Sequence, residues 1–280
     1  MSGNERALVL GGGGVAGIAW LTGVLAGLAA EGTDVTGADL LLGTSAGSAV
    51  AAQVGSGLPI GELFARQADP ALQNRELVPS SGVTVAEFAD IWMRLAQENS
   101  DPAAIRQGLG ARALAADTVD EAERQAVIEA RLPVREWPSR DLRVTAVNAL
   151  TGDLRLFDRD SGVSLVDAVA ASCAVPMIWP PVTIGGIRFV DGGVRSVNNL
   201  DLAAGYERVL LIAPMDDPRL AVDIAAVEGE GGGVEVITPD EAALAAFGTD
   251  PLDPSTRTPS ADAGLAQGQA TAAKIAPFWG

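Results

Sequence analysis

Ala7-Leu8-Val9-Leu10-Gly11-Gly12-Gly13-Gly14 and then Asp39-Leu40-Leu41-Leu42-Gly43-Thr44-Ser45-Ala46-Gly47 are the two stretches that decide the fold. In each, a short apolar run of the kind that makes a strand buried on both faces passes straight into glycine. In each, good helix formers follow: residues 18–30 up to a C-cap at Gly32, and the small-residue segment 48–54. Two successive strand–turn–helix units imply a parallel sheet with crossover helices. Downstream, residues 58–137 are polar and mostly helical, with candidate helices at 60–67, 85–97, 102–115 and 119–132. Such an excursion over a sheet serves as a substrate wall or lid, or simply packs against it. Strands follow at 142–147 and 154–157, separated by the turn Thr151-Gly152-Asp153, and at 187–190, 208–213 and 234–237. Residues 229–233 read as a surface loop, and 250–259 as a proline-rich connection to a last helix ending near residue 276.

A chain of 280 residues that is 48% apolar buries a large core, and one domain over 1–280 is expected, with a helical insertion at about 58–137 and a C-terminal tail at about 250–280. The formal charge of −17 repels phosphate backbones and anionic head groups, so nucleic acid is excluded as a partner and bulk electrostatics will not recruit the chain to membranes. The helices of the insertion lack the Lys/Arg-rich polar face of an interfacial anchor, which leaves at most transient membrane contact. Residues 7–30 are uncharged over 24 positions, but seven of these are glycine and the preceding Asn4-Glu5-Arg6 is a poor positive n-region. The segment therefore reads as strand, loop and buried helix rather than as a span or signal. The lone Cys173 forms no intramolecular disulfide and sits in an apolar stretch as a small buried thiol, which fits a reducing, cytoplasmic compartment.

Chemistry is bounded by an absence: the chain has no histidine, so a Ser-His-Asp triad is impossible. The single lysine, Lys274, lies six residues from the end, which disfavours a Ser-Lys pair. If Ser45 is a nucleophile, its base is a carboxylate. Gly43-Thr44-Ser45-Ala46-Gly47 has the spacing of a nucleophile elbow, in which small residues at Gly43, Ala46 and Gly47 allow a tight strand-to-helix corner that exposes the hydroxyl. The run Gly11–Gly14 admits three readings. Gly12, Gly14 and Gly17 formally satisfy a dinucleotide fingerprint, but the next strand ends in Gly43 instead of the acidic residue that holds a ribose. A phosphate-binding loop lacks its lysine. An oxyanion hole built from the amides of Gly12, Gly13 and Gly14 needs no charged partner. Among the carboxylates, Asp191 stands out at the end of the strand 187–190 and before Gly192-Gly193, although an Asp-Gly-Gly is also an ordinary turn. An aspartate near its usual pKa of about 3.9 is a poor base for a hydroxyl, so desolvation would have to raise it. Met177-Ile178-Trp179-Pro180-Pro181 reads as core, or as the wall of an acyl pocket, and Trp20 as core. No Cys/His cluster or EF-hand loop is present, and neither a metal nor a cofactor is expected.

Taken in order, the glycine loop, G-T-S-A-G and the later D-G-G resemble the patatin-like phospholipase family, lipid acyl hydrolases with a Ser-Asp dyad. Ala170-Ala171-Ser172-Cys173-Ala174-Val175-Pro176, Pro180-Pro181-Val182, and Phe189-Val190-Asp191-Gly192-Gly193-Val194 with Asn198-Asn199 resemble the family's block leading to its aspartate. The likeness covers residues 6–54 and 142–213. It implies a three-layer α/β/α fold with a mostly parallel sheet. It also implies Ser45 as nucleophile, Asp191 as base, an oxyanion hole around Gly12, Gly13 and Gly14, and Gly17, Gly43, Gly47, Gly192 and Gly193 as motif glycines. The implied partner is a lipid or acyl-ester substrate. One departure stands out: where the family carries a basic residue before the last glycine of its loop, this chain has Ala16, which weakens the case for a phosphate head group. The alternatives are an acyltransferase or hydrolase of neutral esters, and a non-catalytic protein that binds lipid or a partner through its helical middle. A dinucleotide-binding oxidoreductase is the remote third.

Overall fold

The computed structural model describes residues 5–280, so that Asn4 and the rest of 1–4 lie outside the described residues. Its sheet is built from β1 (Arg6–Leu10), β2 (Leu40–Gly43), β3 (Asp141–Asn148), β4 (Leu154–Phe157), β5 (Val182–Ile184), β6 (Ile187–Asp191), β7 (Arg208–Ile212) and β8 (Gly233–Ile237). The order is β5-β6-β3-β2-β1-β7-β8, with β4 pairing β3 off that path. β3, β2, β1, β7 and β8 run parallel to one another, whereas β4 and β6 are antiparallel to β3, and β5 to β6. The expected mostly parallel sheet is thus present, with an antiparallel flank.

Ten α-helices surround it among the described residues: α1 (Gly14–Ala30), α2 (Ala46–Gly55), α3 (Ile60–Ala68), α4 (Val85–Glu98), α5 (Pro102–Ala115), α6 (Glu121–Arg131), α7 (Leu165–Ser172), α8 (Leu220–Gly229), α9 (Glu241–Phe247) and α10 (Arg257–Trp279). The layers follow from β1. Leu8 and Leu10 point into a core shared with Trp20, Leu21 and Leu25 of α1, while Ala7 and Val9 point the other way, towards Leu200, Val209 and Leu211. All four are fully buried, which is why the run carries no polar residue.

α1 starts at Gly14, four residues earlier than the pattern suggested, because the glycines form its N-terminal turn instead of merely preceding it. The last helix expected in the C-terminal segment is α10, which runs on to Trp279 and packs along α1. Pro259 is tolerated in its first turn, where its missing N–H has no helical acceptor to lose. The two helices approach backbone to backbone at Gly23 and Gly27 of α1 and Gly264 and Gly268 of α10. A Cβ at Gly27 would lie 2.7 Å from Gln269 N, and one at Gly268 would lie 3.0 Å from Gly27 Cα. Buried Trp20 closes this seam by donating its Nε1–H to Gln267 Oε1 at 2.9 Å, in line with its expected place in the core.

The insertion's four helices lie within two residues of their expected bounds, for reasons visible locally. In α4, Thr84 accepts from the Glu87 N–H while Glu87 accepts from the Thr84 N–H, a reciprocal N-terminal cap. Asp101 and Asp120 cap α5 and α6 one way only, accepting the N–H groups of Ala103 and Ala122. The expected loop at 229–233 is shorter than supposed, since Gly229 ends α8 and Gly233 begins β8.

Candidate active site

β1 and β2 are adjacent and in register, Leu10 opposite Gly43, so the glycine loop and the elbow emerge side by side from the same edge of the sheet. They are knitted together there: the Thr44 N–H donates to Leu10 O at 3.1 Å and the Gly47 N–H to Gly11 O at 3.0 Å. Neither elbow glycine can be enlarged. A Cβ at Gly43 would sit 2.5 Å from Ser48 Cα, and one at Gly47 would meet Leu10 O and Gly11 O.

Ser45 occupies the corner at φ 52°, ψ −119°, a conformation that costs a non-glycine residue about 1–3 kcal/mol. The corner is held from below. The Ser45 N–H donates to Ser172 Oγ at 2.9 Å, and Ser45 O accepts from Ser48 Oγ at 2.7 Å and from Cys173 Sγ at 3.3 Å. Cys173 is buried as expected, and burial is the first cause of its raised thiol pKa. Ser172 and Cys173 thus brace the strained serine, a use that the sequence signals only through the family's block.

Asp191 reaches Ser45 by a route that the sequence argument did not foresee. The strand-end rule for parallel sheets does not apply to it, because β6 is antiparallel to β3. β3 instead extends beyond β2. Val144 pairs with Gly43 and Ala146 pairs with Asp191, which puts the aspartate level with the residue two beyond Gly43, namely Ser45. Its own N–H donates to Ala174 O at 2.9 Å, fixing the strand end against the end of α7. Gly192 lies against Thr145, whose carbonyl a Cβ would approach to 2.7 Å. Asn199, in the left-handed region at φ 50°, ties the two loops by donating Nδ2–H to Thr44 Oγ1 at 3.1 Å and to Ser196 O at 2.7 Å.

The carboxyl of Asp191 is 4% exposed. Its Oδ1 accepts the Gly193 N–H at 2.7 Å, and Oδ2 has no hydrogen-bond partner. Burial pushes the group up to about 7, opposed by the nearby Ser45 hydroxyl and by the Gly193 N–H. The hydroxyl is close enough to be felt, but no hydrogen bond of standard geometry joins it to Oδ2 here.

In the glycine loop, the Gly12 N–H is engaged by Val197 O at 2.9 Å and Gly11 N–H by Ile212 O at 3.0 Å. Gly13 and Gly14 N–H have no internal acceptor among the described residues. That narrows the expected donor set to two. Gly14 has φ +65°, and a Cβ on Gly13 would lie 2.6 Å from Pro214 Cβ, so both positions require glycine. Gly17 is different, since a Cβ there would make only ordinary contacts at 3.4 Å or more.

Gly12, Gly13, Gly14, Ser45 and Asp191 all line one cleft of about 920 Å³, counted out to its mouth. Its walls are apolar: Val15 and Ile18 of α1, Val85, Phe88 and Trp92 of α4, and Trp179, Met215 and Leu252. The insertion therefore does more than pack on the sheet, and Trp179 is both buried and part of the wall. Two residues with no sequence signal, Arg124 and Arg131 of α6, also line the cleft, together with Glu76. Among the described residues no group of three or more His, Cys, Asp or Glu side chains is placed to hold a metal ion. No helix among them is long and apolar enough to cross a membrane.

The family model for patatin-like phospholipases matches residues 8–204 of the chain. No curated protein matches it. A solved structure, VipD from Legionella pneumophila, aligns with a TM-score of 0.49 at 14% sequence identity, over 97% of this chain and 67% of that one.

Proposed function

The chain belongs to the patatin-like phospholipase family, and on that premise we propose that it is a lipid acyl hydrolase in which Ser45 is the nucleophile and Asp191 its base. The observation that carries the reading is the pairing of a strained, loop-braced serine with a buried carboxyl whose one unpartnered oxygen lies on the same cleft. Asp191 Oδ2 takes the Ser45 hydroxyl proton as Oγ bonds to the ester carbonyl carbon. The carbonyl oxygen gains the negative charge and is met by the free N–H groups of Gly13 and Gly14. The intermediate then collapses, the ester C–O bond breaks, and the proton on Asp191 passes to the leaving alkoxide. Water repeats the sequence on the acyl-enzyme, giving a proton to Asp191 and releasing a fatty acid and free Ser45. Each oxyanion donor of this kind is worth about 3–4 kcal/mol of transition-state stabilisation. The apolar walls from α1 and α4 suit an acyl chain.

A fluorophosphonate probe is expected to label the folded protein at Ser45 and to leave Ser45→Ala unlabelled, read by intact mass and peptide mapping. Folded wild type that resists the probe would remove the hydrolase reading and favour a lipid-binding protein without turnover.

The base also sets a pH dependence. Only ionised Asp191 accepts a proton, and its pKa is raised to about 7. The kcat/KM for a soluble p-nitrophenyl ester is therefore expected to rise about tenfold per pH unit up to near pH 7 and then level off. A profile flat from pH 5 to 8 would exclude Asp191 as the base.

A further inference from the structure

The floor of the cleft holds an unbalanced charge. Glu76 is buried among three guanidinium groups, those of Arg131, Arg257 and Arg124. Arg131 takes the carboxylate with both prongs, Nε to Oε1 at 3.0 Å and Nη2 to Oε2 at 2.6 Å. Arg257 sits 3.9 Å from Oε1 and is further held by Gln67 Oε1 at 2.8 Å and Asn74 O at 3.0 Å. Arg124 receives almost nothing from this cluster. Its Nη1 is 4.0 Å from Glu76 Oε2, and neither Nη1 nor Nε makes a hydrogen bond. The residue is 5% exposed, and it lines the same cleft as Ser45.

A buried cation with orphaned donors is costly unless something completes it. Part of that completion is internal, since the guanidinium lies 3.7 Å over the centre of the Trp179 ring. The ring face offers no acceptor for the in-plane N–H groups, and because the residue lines the cleft, an occupant that seats against the guanidinium could supply one. Burial and the neighbouring Arg131 hold the guanidinium down to about 9, with Cys173 and Glu76 opposing them. The cluster is also electrically close to the serine: Cys173, whose Sγ touches Ser45 O, feels the charges of both Arg131 and Arg124.

We propose that Arg124 is the anion-recognition residue of this cleft, taking the oxyanion of an amphiphile whose chain lies along the α1 and α4 walls. The shared chemistry is a singly charged group with two acceptor oxygens, either the phosphodiester of a phospholipid or the carboxylate of a released fatty acid. This identity of the ligand rests on the hydrolase reading above. It supplies, from the helical insertion, a cation for anionic substrate that the glycine loop lacks at Ala16.

Binding to Ser45→Ala protein, followed by calorimetry, tests this without turnover. Two matched pairs of probes are used below their aggregation limits: decanoate against decanol, and a dihexyl ether phosphocholine lipid against dihexylglycerol. At least one member that carries the carboxylate or phosphate is expected to bind about 10–100-fold tighter than its twin without that group. Arg124→Met should bring that preference to within about twofold, and Arg124→Lys should restore part of it. Preference confined to the phospholipid pair assigns the site to the head-group phosphate, and preference confined to decanoate assigns it to the product carboxylate. No preference in either pair, measured with Arg124 intact, overturns the proposal even if the Met variant fails to fold. A preference that survives in folded Arg124→Met overturns it as well. Fluorophosphonate labelling without anion preference sinks this inference alone, whereas anion preference without labelling sinks only the hydrolase reading.

Discussion

Asp191→Asn is expected to lose about 10²–10⁴-fold in kcat and, at pH 8, to unfold at a higher urea concentration than the wild type. Both effects come from the burial that, in the proposed mechanism, would make the carboxyl a usable base. Its pKa is raised from 3.8 to about 7, so the folded state holds its proton where the unfolded chain has already released it. The stability that this group contributes is present in full below about pH 4 and is lost as pH rises through about 7. Above that, the folded protein carries a buried anion with one unpartnered oxygen. A difference of about three pKa units corresponds to at most about 4 kcal/mol, and about 2–4 kcal/mol is the expected gain on substitution. Asparagine keeps an oxygen for the Gly193 N–H and turns an N–H towards Ser45, but it accepts no proton. At pH 4 the two proteins should differ little. Equal urea midpoints at pH 8, or retained activity, would contradict the account of Asp191 as a desolvated base.

The second large effect concerns the seam between α1 and α10. Gly268→Ala should raise helix propensity by about 1 kcal/mol if the position were exposed. Here the added methyl would meet Gly27 Cα and Leu28 N at 3.0 Å, and lie closer still to Val24 O. Backbone cannot yield as a side-chain tip can. The helices must separate along a contact that buries Trp20, Val24 and Leu28 on one side and Ala272 and Ile275 on the other. A loss of about 2–4 kcal/mol is expected for Ala and more for Val. Gly61→Ala is the control, since Gly61 lies in α3 with open space around its Cβ position. It should be neutral or stabilising by up to about 1 kcal/mol. Urea unfolding of the three variants checks the contrast, and a Gly268→Ala midpoint at or above that of the wild type would refute the close backbone approach.

Much of the fold was legible because its signals are local. Fully buried strands leave runs such as Leu40-Leu41-Leu42, and capped helices leave Thr84…Glu87 or Asp101-Pro102. What escaped were short elements without periodicity. α7 and α9 are too brief to show a helical stripe, and α8 ends in the glycines that marked a loop. α10 was expected as a last helix, but its packing was not, because its small residues, Gly264 and Gly268, leave no apolar stripe and only α1 pressing against them gives them a partner.

The sequence by itself determined the chemistry that the chain can bring. Lacking histidine, it leaves a carboxylate as the partner of any nucleophilic serine, and the order of the glycine loop, G-T-S-A-G and D-G-G, through the family resemblance, makes Ser45 and Asp191 the candidates. It also determined the parallel core, because a strand buried on both faces must be apolar at every position. Only the tertiary structure decided how these parts meet. The overhang of β3 past β2 brings Asp191 level with Ser45, although it arrives on an antiparallel strand. The bond from Gly12 N–H to Val197 O leaves Gly13 and Gly14 as the free donors. The fold of α6 over Trp179 brings an arginine with two orphaned N–H nitrogens to the same cleft. Each is a contact between residues distant in the chain, where local pattern carries no information and register, burial and charge balance decide.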